Sequence, residues 1–145
     1  MNVFWQLSES QIMSVTLYGE ARGESTEGKI AVGSIILERV DHREWDGKTV
    51  HEVCLMPKQF SCFNEKDPNR IKLEFIASNW DAAMSCNIAL NDCFCIALGL
   101  LQGTIQRTPE IAKSHATQYC RTDFDVYWKS SFKKVLTVGS HSFYA

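Results

Sequence analysis

The sequence predicts a mostly helical fold of the α+β class with a small antiparallel sheet. Two segments begin with a helix-capping serine, Ser8 and Ser25, and continue with apolar residues at helical spacing. A third apolar segment with helical spacing extends from about residue 79 to Gly103. Near the C-terminus the spacing changes to a short alternating run over residues 135–138, which is typical of a strand. A small sheet beside a helical body gives the α+β class.

Length and composition limit the classes of protein to consider. The chain has 145 residues, enough for a single domain over residues 1–145. Its net charge is −2 and no basic stripe is present, so we expect no nucleic-acid partner. No apolar run is long enough to span a bilayer and the N-terminus lacks signal-peptide features, so we expect synthesis in a cytoplasm and no membrane insertion. We also expect a monomer without a cofactor.

The first two helices have clear start signals. Ser8 is a good N-cap, and Gln11 three residues later completes a capping box, so a helix should begin here and carry Glu20 near its end. The second helix should start at Ser25 or Thr26 and be largely buried over residues 29–40, which are strongly apolar. Within it, Gly33 would let another helix pack closely.

The later elements follow from caps and turns. Thr49 should cap a short helix that ends before Pro57. Asn79 or Asp81 should open the longest helix, which ends at Gly103. We predict that residues 135–138 form a strand whose antiparallel partner is residues 117–119.

Cysteine and histidine spacing gives no sign of a metal site. The four histidines are scattered and no HExxH or CxxC motif is present, so we predict no bound metal. Six cysteines in such a chain are expected to be reduced, with Cys86 and Cys93 as core residues on one helix face. A nucleophilic Cys62 paired with a histidine, His115 or His141, stays open as a second hypothesis.

The segment that carries the most chemistry is Tyr18-Gly19-Glu20-Ala21-Arg22-Gly23-Glu24. Glu20 and Glu24 would share one helix face if the first helix continued through both. Gly19 would let the backbone approach a ligand closely, and Gly23 could end the helix. A carboxylate at a helix C-terminus is biased toward its protonated form, which is the state that a general acid needs. The plain alternative is a solvated helix end rich in glutamate.

Three further stretches carry a family resemblance. The first is Glu27-Gly28-Lys29-Ile30-Ala31-Val32-Gly33-Ser34-Ile35-Ile36-Leu37-Glu38-Arg39-Val40. The second is Lys58-Gln59-Phe60-Ser61-Cys62-Phe63-Asn64 with Asp67-Pro68-Asn69-Arg70. The third is Ala116-Thr117-Gln118-Tyr119-Cys120 with Val138-Gly139-Ser140-His141-Ser142-Phe143-Tyr144. Together with the heptapeptide, they resemble the SleB/CwlJ-type cell-wall hydrolases of the spore-cortex-lytic family. The chain departs from that pattern at Glu38, Phe63 and Gln118, where asparagine, tryptophan and histidine are usual.

The resemblance implies a lysozyme-like domain that cleaves peptidoglycan between N-acetylmuramic acid and N-acetylglucosamine. Glu20 matches the catalytic glutamate of the family. The substrate-binding residues that we predict on the same basis are Glu24, Gln59, Ser61, Phe63, Thr117, Tyr119 and His141. The absence of a signal peptide and of a wall-binding module fits a phage endolysin that lyses its host and reaches periplasmic peptidoglycan through a separate hole-forming protein.

The sequence leaves the reaction type open. A lytic transglycosylase, which we favour, can use Glu20 as both acid and base. A muramidase would need a second carboxylate, for which Glu24 and Glu27 are the candidates. An N-acetylmuramoyl-L-alanine amidase or peptidase would use Cys and His instead. A glycan-binding module without activity would use the same residues only to hold the polymer.

Overall fold

The computed structural model describes residues 2–43, 45 and 47–145. Over these residues the helices are α1 Glu9–Ala21, α2 Thr26–His42, α3 Val50–Leu55, α4 Pro68–Ser78, α5 Trp80–Cys86, α6 Ile88–Gln102 and α7 Pro109–Ser114. The strands are β1 Gln118–Arg121, β2 Lys134–Val138 and β3 His141–Tyr144, and short 3-10 turns lie at Val3–Gln6, Ser61–Phe63 and Lys129–Ser131. Helices with one small antiparallel sheet confirm the predicted α+β class.

Helix α1 lies at the centre of the fold. Its start is the predicted capping box, in which the Ser8 hydroxyl accepts from the Gln11 N–H and the Gln11 side chain accepts from the Ser8 N–H. Residues 12–18 are all buried, because α2, α3, α4 and α6 pack around this helix. The buried Thr16 hydroxyl donates to the Ile12 carbonyl at 2.8 Å, so it is satisfied within the helix. The last turn of α1, which carries Glu20, therefore projects from a rigid element.

Helix α2 begins as predicted and packs closely on α6. The Ser25 hydroxyl accepts from the Gly28 N–H at 3.1 Å. A Cβ atom on Gly33 would lie 2.5 Å from Cδ1 of Leu100, so the absence of a side chain there sets how closely the two helices approach. The close-packing prediction for Gly33 is therefore confirmed. With 17 residues, α2 rather than the segment after Asn79 is the longest helix described.

The prediction of one continuous helix from Asn79 or Asp81 to Gly103 is wrong. The chain bends by 109° between α5 and α6. Asn87 makes the break: its side chain accepts from the Leu90 N–H at 3.0 Å and donates to the Tyr18 hydroxyl at 3.1 Å. Apolar spacing continues through the bend because both helices pack on the same core.

The bend has two consequences. Cys86 is exposed at the end of α5 whereas Cys93 is buried in α6, so they do not share the predicted core face. Among the described residues no single helix is long and apolar enough to cross a membrane. The bent pair α5–α6 reaches the required length and composition only when both helices are counted together.

Helix α4 was not predicted, although its start signal is present in the sequence. The Asp67 carboxylate accepts from the Asn69 N–H at 2.9 Å, and Pro68 occupies the first helical turn. This combination favours a helix N-terminus, since proline there sacrifices no helical hydrogen bond. Leu73 and Ile76 of α4 are buried against the core.

The sheet pairs differently from the prediction. Strand β3 lies in the middle and pairs antiparallel with both β1 and β2, so residues 117–119 and 135–138 are not partners. In this register Tyr119 lies opposite Phe143, and Val138 lies opposite His141. All four residues of β3 are buried. Burial of this segment favours the arrangement with β3 between β1 and β2 over direct pairing of β1 with β2.

Gly19 has a packing role that the sequence did not predict, whereas Gly23 lacks the predicted helix-ending conformation. A Cβ atom on Gly19 would lie 2.7 Å from Sγ and 2.8 Å from Cβ of Cys62, so Gly19 lets α1 pack on the Ser61–Phe63 turn. Helix α1 already ends at Ala21, and Gly23 has no left-handed φ of the kind a glycine cap requires. A Cβ on Gly23 would meet nothing within 4 Å.

We predict that Gly19→Ala destabilises the protein whereas Gly23→Ala does not. Overpacking against Cys62 should cost about 1–3 kcal/mol. The higher helix propensity of alanine relative to glycine should offset about 1 kcal/mol of this cost. Because both contacts with Cys62 would be shorter than 3.0 Å, we expect the upper end of this range, a net loss of about 2 kcal/mol in the free energy of unfolding, measured by urea denaturation. Equal stability of the two variants would contradict the packing role of Gly19.

Candidate active site

A groove of about 600 Å³ opens beside the last turn of α1. One wall is the segment before and within the Ser61–Phe63 turn, and the other is formed by the sheet and the loop after β1. The described residues that line it are Gly19, Glu20, Arg39, Trp45, Lys58, Gln59, Ser61, Gln118, Tyr119, Cys120, Arg121, Phe124, Val126, Tyr127, Trp128 and His141.

Glu20 is half-buried in this groove and is held by Tyr119. The Tyr119 hydroxyl on β1 donates to Oε1 of Glu20 at 2.6 Å, a short hydrogen bond to a carboxylate. Burial, and next the neighbouring Glu20 charge, hold the pKa of the Tyr119 hydroxyl well above its usual value. Tyr119 therefore remains a proton donor in this contact, and it fixes the orientation of the carboxylate.

Glu24 does not share a helix face with Glu20, because α1 ends before reaching it. Its Oε1 accepts from the backbone N–H of Ser140 at 3.0 Å. A Cβ atom on Gly139 would lie 2.6 Å from that same oxygen, so the glycine makes room for the carboxylate. Gly139 also has a left-handed φ of 56°. The structure thus places Glu24 against the turn between β2 and β3, beside the groove.

His141 lies between Glu24 and Tyr119. Its side chain is buried, with Nδ1 at 3.8 Å from Oε1 of Glu24, and its ring meets the Tyr119 ring edge-on at a centroid distance of 5.2 Å. Burial lowers the pKa of His141 below its usual value, although the nearby Glu24 and Glu20 charges act in the opposite direction. The imidazole is therefore neutral at pH 7 and can accept or donate a hydrogen bond.

The remaining predicted site residues divide into two groups. Gln59 and Ser61 line the groove, and Oε1 of Gln59 accepts from Nη2 of Arg43 at 3.2 Å. Phe63 does not line it: the ring is only 9% exposed and packs edge-on against Phe4 at 5.0 Å. Thr117 does not line it either, and its carbonyl accepts from Nε of Arg39 at 2.8 Å.

Sequence reasoning missed much of the groove. Trp45, Phe124 and Tyr127 are exposed aromatic residues on its rim, and Lys58 and Arg121 bring positive charge. The aromatic residues do not lie in segments with helical or alternating apolar spacing. The sequence feature that could have identified part of the groove was the high aromatic content of the loop after β1. Arg39 both binds the Thr117 carbonyl and lines the groove.

The groove combines one acid with several cations. Among its described lining residues Glu20 is the carboxylate, while Arg39, Lys58 and Arg121 are positively charged. This arrangement can transfer a proton from a fixed carboxyl group and can hold a polar, partly anionic polymer. The exposed aromatic faces suit stacking against sugar rings.

Cys62 is not placed to act as a nucleophile. The side chain is 1% exposed, and burial together with the adjacent Glu20 charge raises the pKa of its thiol, so the reactive thiolate is disfavoured. Burial likewise raises the pKa of Cys54 to about 12. All six cysteines are free thiols in the described structure.

The position of His141 gives a testable prediction about pH. Its pKa should lie below 6.5 in an NMR titration of the ring protons. Glu24→Gln should lower the pKa further, because it removes a nearby negative charge. Since the unfolded chain binds this proton more tightly, stability present at neutral pH should be lost as the pH falls below about 6.5.

Glu27→Gln is the matched control, because Glu27 is exposed and is not among the groups that shift His141. The NMR titration of His141 in the Glu27→Gln variant should match that in the unmodified protein. A pKa of His141 at or above the usual histidine value would contradict the buried placement.

Comparison with known proteins agrees with this architecture. The catalytic domain of the germination-specific lytic transglycosylase SleB from Bacillus anthracis superposes with a TM-score of 0.61 at 22% identity, covering 94% of this chain and 93% of that one. The catalytic domain of the Bacillus cereus SleB protein gives 0.59 at 22% identity, over 94% and 89%. These likenesses show the fold, and they confirm the fold class that we predicted. No curated protein sequence matches the chain.

A family profile described as Cell Wall Hydrolase matches residues 23–144, beginning three residues after Glu20. The match covers most of the chain and contains the three stretches that carried the resemblance. The protein therefore belongs to the cell wall hydrolase family.

Proposed function

We propose that this protein cleaves the glycan strand of peptidoglycan between N-acetylmuramic acid and N-acetylglucosamine, with Glu20 as the general acid. Membership of the cell wall hydrolase family supports the substrate class. The observation that carries the proposal is the Glu20 carboxylate, which stands in an open groove and is oriented by the Tyr119 hydroxyl at 2.6 Å. A fixed carboxyl group beside a polymer-sized groove can supply the general acid of glycosidic cleavage.

In the proposed reaction Glu20 protonates the glycosidic oxygen as positive charge develops on the muramic ring. Gln59 and Ser61 offer hydrogen bonds along one wall of the groove, and the Trp128 ring offers a stacking face on the other. The exposed cations of the groove, Lys58 and Arg121, would attract the carboxylates of the wall peptide stems.

We favour the lytic transglycosylase outcome over hydrolysis. Glu20 is the carboxylate among the described groove-lining residues, Glu24 is engaged by the Ser140 N–H, and Glu27 is exposed on the first turn of α2. A muramidase would need a second carboxylate across the sugar ring. A transglycosylase needs only one, because Glu20, once deprotonated, can accept the proton of the muramic 6-hydroxyl and form an anhydromuramic end. The Bacillus anthracis neighbour is a lytic transglycosylase, which supports the same choice.

Amidase, peptidase and pure binding functions have weaker support. An amidase or peptidase that used Cys62 would need a thiolate, which the buried position of this residue disfavours. A glycan-binding module without activity would use the same groove but would release no fragments.

We predict that Glu20→Gln abolishes release of fragments from purified peptidoglycan, because an amide cannot donate the required proton. The amide oxygen can still accept from Tyr119, so the fold should be retained, which circular dichroism and a melting curve check. Glu110→Gln makes the same chemical change on the exposed first turn of α7 and should keep full activity.

Mass spectrometry of the fragments separates the possible reactions. Anhydromuramic ends that vanish in Glu20→Gln are expected. Reducing muramic ends would show that water is the acceptor and that the protein is a muramidase rather than a transglycosylase. Free peptide stems, or full activity of a folded Glu20→Gln protein, would overturn the assignment of Glu20.

We also propose that the protein acts as a phage endolysin, on the basis of the sequence resemblance. Expression in a bacterial host should then leave cells intact, and co-expression with a hole-forming membrane protein should lyse them. Lysis without the hole-forming protein would contradict the proposed endolysin role. Absence of lysis with active protein present in the cells would contradict it as well.

A further inference from the structure

A second cluster of titratable side chains lies outside the groove, where the end of α2 meets the end of α7. It consists of Glu38 and His42 on α2 and His115 directly after α7. None of the three lines the groove. We propose that these three residues form a binding site for a divalent transition-metal cation of the Zn²⁺ type.

The distances fit a tetrahedral site after small side-chain adjustments. Nδ1 of His115 lies 2.9 Å and Nε2 of His42 lies 3.7 Å from Oε1 of Glu38, and the three ligand atoms all lie within 4.8 Å of one another. Zinc bonds of about 2.0–2.2 Å place neighbouring ligand atoms of a tetrahedron about 3.3–3.6 Å apart. The two measured distances lie on either side of this range, and changes of a few tenths of an ångström would bring both into it.

The backbone brings the ligands together from distant parts of the sequence. Glu38 and His42 are one helical turn apart and therefore face the same side of α2. His115 ends α7 in the left-handed conformation, with φ 54° and ψ 42°, where its N–H donates to the Ile111 carbonyl. This conformation is unfavourable for a residue with a Cβ atom. It places the imidazole against that of His42, with ring centroids 4.1 Å apart.

The surroundings of Glu38 favour a cation. Its side chain is only 2% exposed, and its Oε2 accepts from Nη1 of Arg107, which also binds Asp41 through Nη2 at 2.7 Å. Arg107 thus orients the carboxylate so that Oε1 faces both imidazoles, as outer-shell partners do in metal sites. The net charge of Glu38, Asp41 and Arg107 is −1. A cation is therefore attracted to the two imidazoles although Arg107 is positively charged.

The histidines leave a route and a coordination position for the metal. Their side chains are 44% and 57% exposed, so a cation can enter from solvent and water can complete the tetrahedron. A bound ion would join α2 to the segment that leads into β1, and so would stabilise the strand that carries Tyr119.

The test is calorimetric titration of the protein with Zn²⁺, in a buffer with a non-chelating reductant. We expect one ion per chain, and at least a tenfold loss of affinity in each of His42→Ala and His115→Ala. His51→Ala is the matched control: His51 binds the Leu7 carbonyl elsewhere in the fold and should not affect the titration. Thermal unfolding should show a Zn²⁺-dependent rise in Tm that the double variant His42→Ala/His115→Ala lacks.

Exposed thiols are the competing ligands, and Co²⁺ distinguishes them. The cobalt complex should lack the charge-transfer absorption of a thiolate ligand, since the proposed site contains only nitrogen and oxygen. Such a band would assign the metal to Cys86 or Cys95 and overturn the proposal. Equal affinity of the double variant and the unmodified protein would do the same, as would the absence of any one-to-one binding.

Discussion

The hydrogen bond from Tyr119 to Glu20 is the contact on which the groove depends, because it joins two parts of the chain that are 99 residues apart. Glu20 is positioned by α1, which is enclosed by other helices over residues 12–18 and so has little freedom to move. Tyr119 is positioned by β1, whose pairing with the buried strand β3 fixes its register. The acid and its orienting group are each held by a buried element, which is how a site can keep its geometry at the surface of a small protein.

Electrostatics separates the roles of the two carboxylates near the groove. Glu20 faces the open space, whereas Glu24 accepts from the Ser140 N–H and lies beside a neutral, buried His141. A carboxylate that already binds a backbone amide is less available as a second catalyst, and it instead fastens the β2–β3 turn to the segment after α1. This separation agrees with the proposed mechanism, which uses Glu20 alone.

The starts of the first three helices were predictable because helix caps are local. A capping serine or threonine satisfies backbone N–H groups within three residues, so the caps at Ser8, Ser25 and Thr49 follow directly from the sequence. The break at Asn87 and the central place of β3 were not predictable, since both depend on distant partners: the Tyr18 hydroxyl for Asn87, and two separate strands for β3. Apolar spacing reports that a segment is buried, but it does not report where the chain bends between two buried segments.

The sequence by itself determined the α+β class, the family resemblance and five of the residues that line the groove: Glu20, Gln59, Ser61, Tyr119 and His141. Tertiary structure decided which side chains face the groove, because direction depends on packing: Phe63 points into the core against Phe4, and Glu24 lies beyond the end of α1. It also brought His115 to Glu38 across 77 positions of the chain. Histidines that are scattered in sequence can converge in space, since chain separation places no lower limit on distance once helices pack against one another.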